Sequence, residues 1–350
     1  MTLAGTTSGT AGTTPGTGVA SGGGDASGGR GAGGAGQAGG GTRPVAGRTE
    51  RRAELLAGYS LIVVPMVLFL ILNIGSVLYE VFVSLWKWNV RTGPVQLRGL
   101  QNYQVLFADD VFWKAVQNTL YYAVIWVPLT MAIGLFLAVI VNQRLRGQTF
   151  FRAAYYFPSI ASSVAIMILW IFIMSPEGLF NSVRAAIGIN PLFAALGFGP
   201  NQNWIGDERT ALNTVIVLNA WTTSGTFMLF YLASLQTISG ELYEAAALDG
   251  AGWWQTFRRI TFPLLRPAHY FVATVALIGA LQLFDQAYIG GGPNGDPNNA
   301  LMTVVLYLFN AAVAKANFGY AAAVGVVLFL IIFGATLVQR RLFGSTPSWL

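Results

Sequence analysis

Residues 244–267 read EAAALDGAGWWQTFRRITFPLLRP, a charged and alanine-rich stretch set between two hydrophobic blocks. Ser239, a short distance upstream, is a suitable helix N-cap. Glu241 and Glu244 follow early, where the helix dipole favours negative charge, and Ala245, Ala246 and Ala247 have high helix propensity. Gly250 and Gly252 then interrupt the pattern. The expected product is a short helix outside the apolar phase, with a small-residue face that admits close approach by another surface. Trp253, Trp254 and Phe257 would anchor the following turn at an interface, with Arg258, Arg259 and Arg266 reaching headgroups or acidic groups of a partner. Pro263 and Pro267 bound the restart into the next apolar block. Spacing alone leaves two readings open, an interaction helix and a plain interfacial linker.

The surroundings are those of a membrane protein. Of 350 residues 54% are hydrophobic and only 10% charged, against about 25% charged in soluble domains. Apolar stretches of spanning length occur near 59–83, 118–141, 154–174, 210–234, 269–289 and 319–338, six in all. Pro65 and Gly75 in the first and Pro158 in the third would weaken soluble helices, but a membrane bundle can satisfy the freed backbone groups. The fold class expected is therefore an all-α polytopic membrane protein with six transmembrane helices.

With a cytoplasmic N-terminus, 13 of the 20 basic residues fall on the cytoplasmic side, among them Arg144, Arg146, Arg152, Arg258, Arg259, Arg266, Arg340 and Arg341. An even number of spans returns the C-terminus to that side, and residues 244–267 face it too. Residues 1–50 are different in kind: they hold 18 glycines and no aromatic residue, which predicts a disordered cytoplasmic tail. They lack the charged start and short apolar core of a signal peptide. Residues 51–350 form the membrane domain, with the cytoplasmic segment at about 236–267.

The chemistry excluded is broad. There is no cysteine and one histidine, His269, so neither a thiolate nor a metal cluster is expected, and no catalytic residue is assigned. The net charge of +6 is scattered among hydrophobic blocks instead of forming a basic stripe, which argues against nucleic acid. No GxxxxGK[ST] phosphate cradle is present, so any ATP must be used by another chain.

Polar residues inside the spans mark a candidate solute path. Asn219, Trp221, Thr222, Thr223 and Ser224 lie near the middle of the fourth span. Gln282 and Asp285 stand three apart in the fifth, which places them on one face of a continuous helix. Intramembrane ionisable groups are costly and mark functional interiors or paired groups. Asp285 fits a solute-facing role or a structural one near the outer mouth. Asn219, Thr222 and Ser224 fit solute contact or ordinary interhelical hydrogen bonds, and Trp221 offers a ring for stacking. Glu80 ends the first span near water, and the turn-rich IGGGPNGDPNNA, with Asp296, reads as an outer loop.

Residues 244–267 resemble the EAA loop of membrane subunits of bacterial ATP-binding-cassette importers, through Glu244, Ala245, Ala246, Asp249, Gly250, Ala251, Phe257, Ile260, Pro263 and Pro267. LRGLQNYQVLFADDVFWKAVQNTLYY, RGQTFFRAAYYFPSIASSVA and YIGGGPNGDPNNALMTVVLYLFNAAVAKANFGYAAA resemble the carbohydrate branch of that family, and the likeness runs over roughly residues 55 to 345. The resemblance implies a type I importer permease with a cytoplasmic coupling helix. In it Glu244 would pair with a polar or basic edge of an ATPase cleft, Ala245 and Ala246 would fill its narrow part, Asp249 belongs to the same docking motif, and Gly250 would allow the turn. It further implies a second homologous permease, a dimer of ATPase subunits, an extracytoplasmic solute-binding protein, a sugar substrate and a bacterial inner or plasma membrane location. A polyol, glycerol phosphate or oligosaccharide are alternative solutes. A secondary carrier would not need the EAA pattern, and an enzyme acting on lipid-linked sugars should show paired acids or histidines at one membrane face.

Overall fold

The computed structural model describes residues 48–143 and 147–343, with side chains from 58 onward. The tail expected over 1–50 lies outside the described residues as far as 47, as do Arg144 and Arg146. The chain divides into two units, Met1–Ile62 and Val63–Leu350. Of the first, the described part belongs to helix α1 (Arg48–Phe69), which continues into the second.

In the second unit a π-helical turn (Leu70–Gly75) leads to α2 (Ser76–Ser84), a two-stranded antiparallel hairpin of β1 (Trp86–Asn89) and β2 (Gly93–Leu97), and α3 (Gln101–Phe107). Helices α4 (Asp110–Asn142), α5 (Gln148–Ile160), α6 (Ser163–Ile173), α7 (Leu179–Ala186), α8 (Asn190–Ala195) and α9 (Ala211–Leu235) follow. Next come α10 (Gly240–Leu248), α11 (Trp253–Thr256), a π turn (Phe257–Thr261), α12 (Phe262–Leu264), α13 (Arg266–Leu281) and α14 (Asp285–Gly291). The last are α15 (Val304–Phe309), a π turn (Asn310–Ala314) and α16 (Phe318–Phe343). Among the described residues five helical segments are long and apolar enough to cross a membrane, and the pair α5–α6 makes a sixth. The hairpin was not anticipated from an all-helical reading.

Two of the expected spans are broken. The third bends by 93° between α5 and α6, where Ala161 and Ser162 leave the helical region with ψ of 153° and 126°. Pro158, two residues before the end of α5, has no N–H to continue the ladder. The fifth span is interrupted at Gln282, Leu283 and Phe284. This corrects the expectation that Gln282 and Asp285 share one face of a continuous helix. The interruption is held from outside: Thr303 Oγ1 caps α15 and donates to the Leu283 carbonyl at 2.7 Å.

The core forms around α4, α9 and α13. Asp109 starts α4, its Oδ1 accepting from the Val111 amide at 2.8 Å while Oδ2 accepts from Tyr307 Oη at 2.6 Å. Asn118, about two and a half turns further along α4, donates to the carbonyls of Asn299 and Met302, so α4 also fixes the turn-rich outer loop. At Gly225 the backbone of α5 crosses α9 so closely that a Cβ there would stand 2.2 Å from the Tyr155 carbonyl oxygen. Small residues permit such approaches between membrane helices, where dispersion contacts replace the hydrophobic drive. A separate aromatic cap outside the spans encloses Arg184, which is 1% exposed, stacks on Phe193 and Trp204, and donates to the carbonyls of Gly199 and Pro200.

Candidate functional site

The broken spans share a purpose in the geometry, because both breaks open onto one cavity of about 500 Å³. Non-helical backbone at membrane depth is tolerated where it lines a cavity. The break after α5 contributes Pro158, Ser159, Ala161 and Ser163, and the break after α13 contributes Gln282, Leu283, Phe284 and Asp285. Helix α4 supplies Tyr122 and Trp126, and α9 supplies Asn219, Thr222, Thr223 and Thr226, which recur at helical spacing on one face.

Polar groups converge on this space in specific ways. Asn219 is buried and its Nδ2 donates to Tyr122 Oη at 2.8 Å. Tyr122 stacks on Trp126 with ring centroids 5.5 Å apart. The indole N–H of Trp126 has no hydrogen-bond partner, although the residue is 5% exposed. Such an unmet buried donor is costly to the fold. Also in the wall, Ser163 Oγ donates to Asp285 Oδ2 at 2.6 Å. The arrangement offers donors, acceptors and aromatic surface, and is suited to holding a hydroxyl-rich molecule without reacting with it. No group of three or more His, Cys, Asp or Glu side chains that could hold a metal ion occurs among the described residues.

Of the residues singled out in the sequence, Asn219, Thr222, Thr223, Gln282 and Asp285 line the cavity. Trp221 and Ser224 are not among its lining residues: Trp221 is half exposed, and Ser224 is buried with its hydroxyl donating to the Trp221 carbonyl. The cavity also takes in Tyr122, Trp126 and Ser163, which the sequence reading passed over. Tyr122 and Trp126 sit four apart within an apolar span, a spacing that puts both on one helix face and was the signal available for them.

The segment that opened the sequence reading is a helix. Ser239 caps α10, its Oγ accepting from the Glu241 amide. At the other end Gly250 has φ of +74°, and the amides of Gly250 and Ala251 return to the carbonyls of Ala247 and Ala246. That pair of bonds is a Schellman closure, which needs the left-handed conformation glycine adopts freely. Glu241, Glu244, Ala245 and Leu248 make an exposed stripe at helical spacing, Leu248 being 90% exposed. Ala246 is only 7% exposed. It faces the protein's own interior, on the side of Tyr243, while Ala245 is exposed. Asp249 is the C-cap residue and is exposed. Tyr243 Oη lies 3.2 Å from Thr261 Oγ1 and so ties α10 to the π turn ahead of α13. Trp253 and Trp254 are exposed and both stack with Phe257.

Residues 130–344 match the family described as binding-protein-dependent transport system inner membrane component. The chain belongs to that family. The probable ABC transporter permease protein YurN of Bacillus subtilis is 36% identical over 288 residues, covering 81% of this chain and 94% of that protein. The lactose transport system permease protein LacF of Rhizobium radiobacter is 35% identical over 247 residues, covering 70% of this chain and 80% of that protein. Among solved structures, a bacterial ABC transporter that imports the acidic polysaccharide alginate superposes with a TM-score of 0.67 at 22% identity, over 83% of this chain and 96% of that one. The fold of this permease is thus that of an ABC importer membrane subunit, as the resemblance in its loop motifs implied.

Proposed function

We propose that this permease forms one half of the translocation pathway of an ATP-driven carbohydrate importer in a bacterial inner or plasma membrane. The observation that carries the reading is the cavity between the two broken spans, walled by amides, hydroxyls, a carboxylate and paired aromatic rings. Sugars present hydroxyls in all directions and an apolar ring face, and this wall matches both. Relatives named for lactose and for arabino-oligosaccharide transport support the solute class.

Energy would enter from a separate ATPase dimer docked on the exposed stripe of α10, with Glu244 meeting a polar or basic edge, Ala245 and Leu248 entering the cleft, and the closure through Asp249 and Gly250 holding the stripe rigid. No cofactor is assigned to the chain itself. A second homologous permease would complete the pathway, and an extracytoplasmic solute-binding protein would deliver the sugar. Basic residues concentrated beside α10 and at the end of α16 support a cytoplasmic position for α10 and both termini. Movement of α10 passes to α13 through the Tyr243–Thr261 contact, and so to a span whose break walls the cavity. That route lets alternating access follow ATP binding without covalent chemistry on the solute. Glycerol phosphate fits less well, since the described cavity wall holds no Lys, Arg or His.

The reading is tested by copurification after mild detergent extraction, comparing wild type with Glu244→Arg combined with Gly250→Val. Wild type should retain an ATPase and a second permease, and the variant should lose the ATPase alone. Unchanged ATPase retention in a folded variant would remove α10 from the docking role.

A further inference from the structure

The described residues lining the cavity include one acidic side chain, Asp285, and no basic one to offset it. Its Oδ2 accepts from Ser163, and Oδ1 has no hydrogen-bond partner among the described residues. The carboxylate is exposed to the cavity instead of being folded into the helix packing. Elsewhere in the wall Asn219 is committed to Tyr122.

We propose that Asp285 is a charge filter: the cavity admits neutral oligosaccharides and rejects those bearing carboxylates, such as uronates. The inference rests on reading the cavity as the solute path and adds the class of sugar that passes. Its physical basis is that a carboxylate lining the cavity repels a like charge more strongly as a bound solute displaces the water between them. A uronate meeting Asp285 finds no counter-ion among the described residues of this wall, whereas a hydroxyl finds the free Oδ1 as an acceptor. The fold alone leaves charge preference open, because it is shared with an importer of an acidic polysaccharide. The wall that this chain contributes biases it toward neutral sugars.

The test is equilibrium binding of radiolabelled probes to the detergent-purified transporter with its copurifying subunits and no added solute-binding protein. Maltotriose serves as the neutral probe and trigalacturonate as the acidic one, equal in ring number. Wild type should bind maltotriose at least about tenfold more tightly. Asp285→Asn should close that gap by about tenfold, chiefly by improving the acidic probe. Asp285→Glu, which keeps the charge, should preserve it. Equal affinities in wild type, a preference for trigalacturonate, or a gap unmoved by Asp285→Asn would overturn the filter while leaving the cavity reading intact. Binding of neither probe at millimolar concentration would overturn both together. If Asp285→Asn does not fold, the wild-type comparison and the Asp285→Glu variant still decide the matter.

Discussion

Ser163 and Asp285 lie 122 positions apart in the chain, yet the hydroxyl of one donates to the carboxylate of the other at 2.6 Å. Each is the first residue of a helix that follows a break, Ser163 of α6 and Asp285 of α14. Their bond therefore fixes the two irregular segments of the cavity wall to each other.

A double-mutant cycle measures this tie. Ser163→Ala and Asp285→Ala should each lower the thermal midpoint of the detergent-solubilised protein, with the double variant less affected than the sum. A coupling of about 0.5–1 kcal/mol is expected for such a bond between membrane helices. Strict additivity would mean that the two breaks are held independently.

Gly225 sets the distance between α5 and α9. Replacing it with alanine places a methyl 2.2 Å from the Tyr155 carbonyl oxygen, a backbone atom that cannot swing aside. The expected cost is about 1–3 kcal/mol, read as a lower thermal midpoint. Gly279, which lines the cavity, has nothing within 4 Å of an added Cβ. Gly279→Ala should leave stability nearly unchanged, and equal losses in the two variants would contradict the close crossing.

The distribution of what could be read from the sequence follows from the physics. Span length and hydrophobicity are local, so the apolar segments were legible, as were the cap at Ser239 and the interruption at Gly250. The breaks were not, because they depend on partners far away: Thr303 holds the Leu283 carbonyl, and Ser163 meets Asp285. Treating residues 269–289 as one straight helix put Gln282 and Asp285 on a common face, whereas they reach the same cavity from non-helical backbone and a new helix start. Trp221 and Ser224 were grouped with Asn219 by proximity in sequence. The face that lines the cavity instead runs Asn219, Thr222, Thr223 and Thr226.

Tyr122 and Asn219 form a buried pair on the cavity wall. Tyr122→Phe keeps the ring stacked on Trp126 but strips Asn219 Nδ2 of its acceptor, leaving a buried amide donor unmet at about 1–3 kcal/mol. Uptake of labelled sugar by cells carrying the complete importer should fall. Combining it with Asn219→Leu, which removes the stranded amide, should restore stability but not uptake. Recovery of both would show that the pair only supports packing.

Tyr243 points from the inner face of α10 to Thr261, while Glu244 and Ala245 point outward. The two faces separate docking from transmission, which makes them experimentally separable. Tyr243→Phe preserves the ring and the exposed stripe, so the ATPase should remain bound, but the hydroxyl contact to the turn before α13 is lost. In reconstituted vesicles, ATP hydrolysis per sugar transported should rise by about two- to fivefold, the effect of losing about 0.5–1 kcal/mol of coupling. Thr261→Val should act in the same direction, and the double variant should add little to either alone. If ATPase binding is lost with Tyr243→Phe, the inner face is part of the docking surface; if the ratio of hydrolysis to transport is unmoved, motion reaches α13 through the backbone of residues 249–261 and not through this side-chain contact.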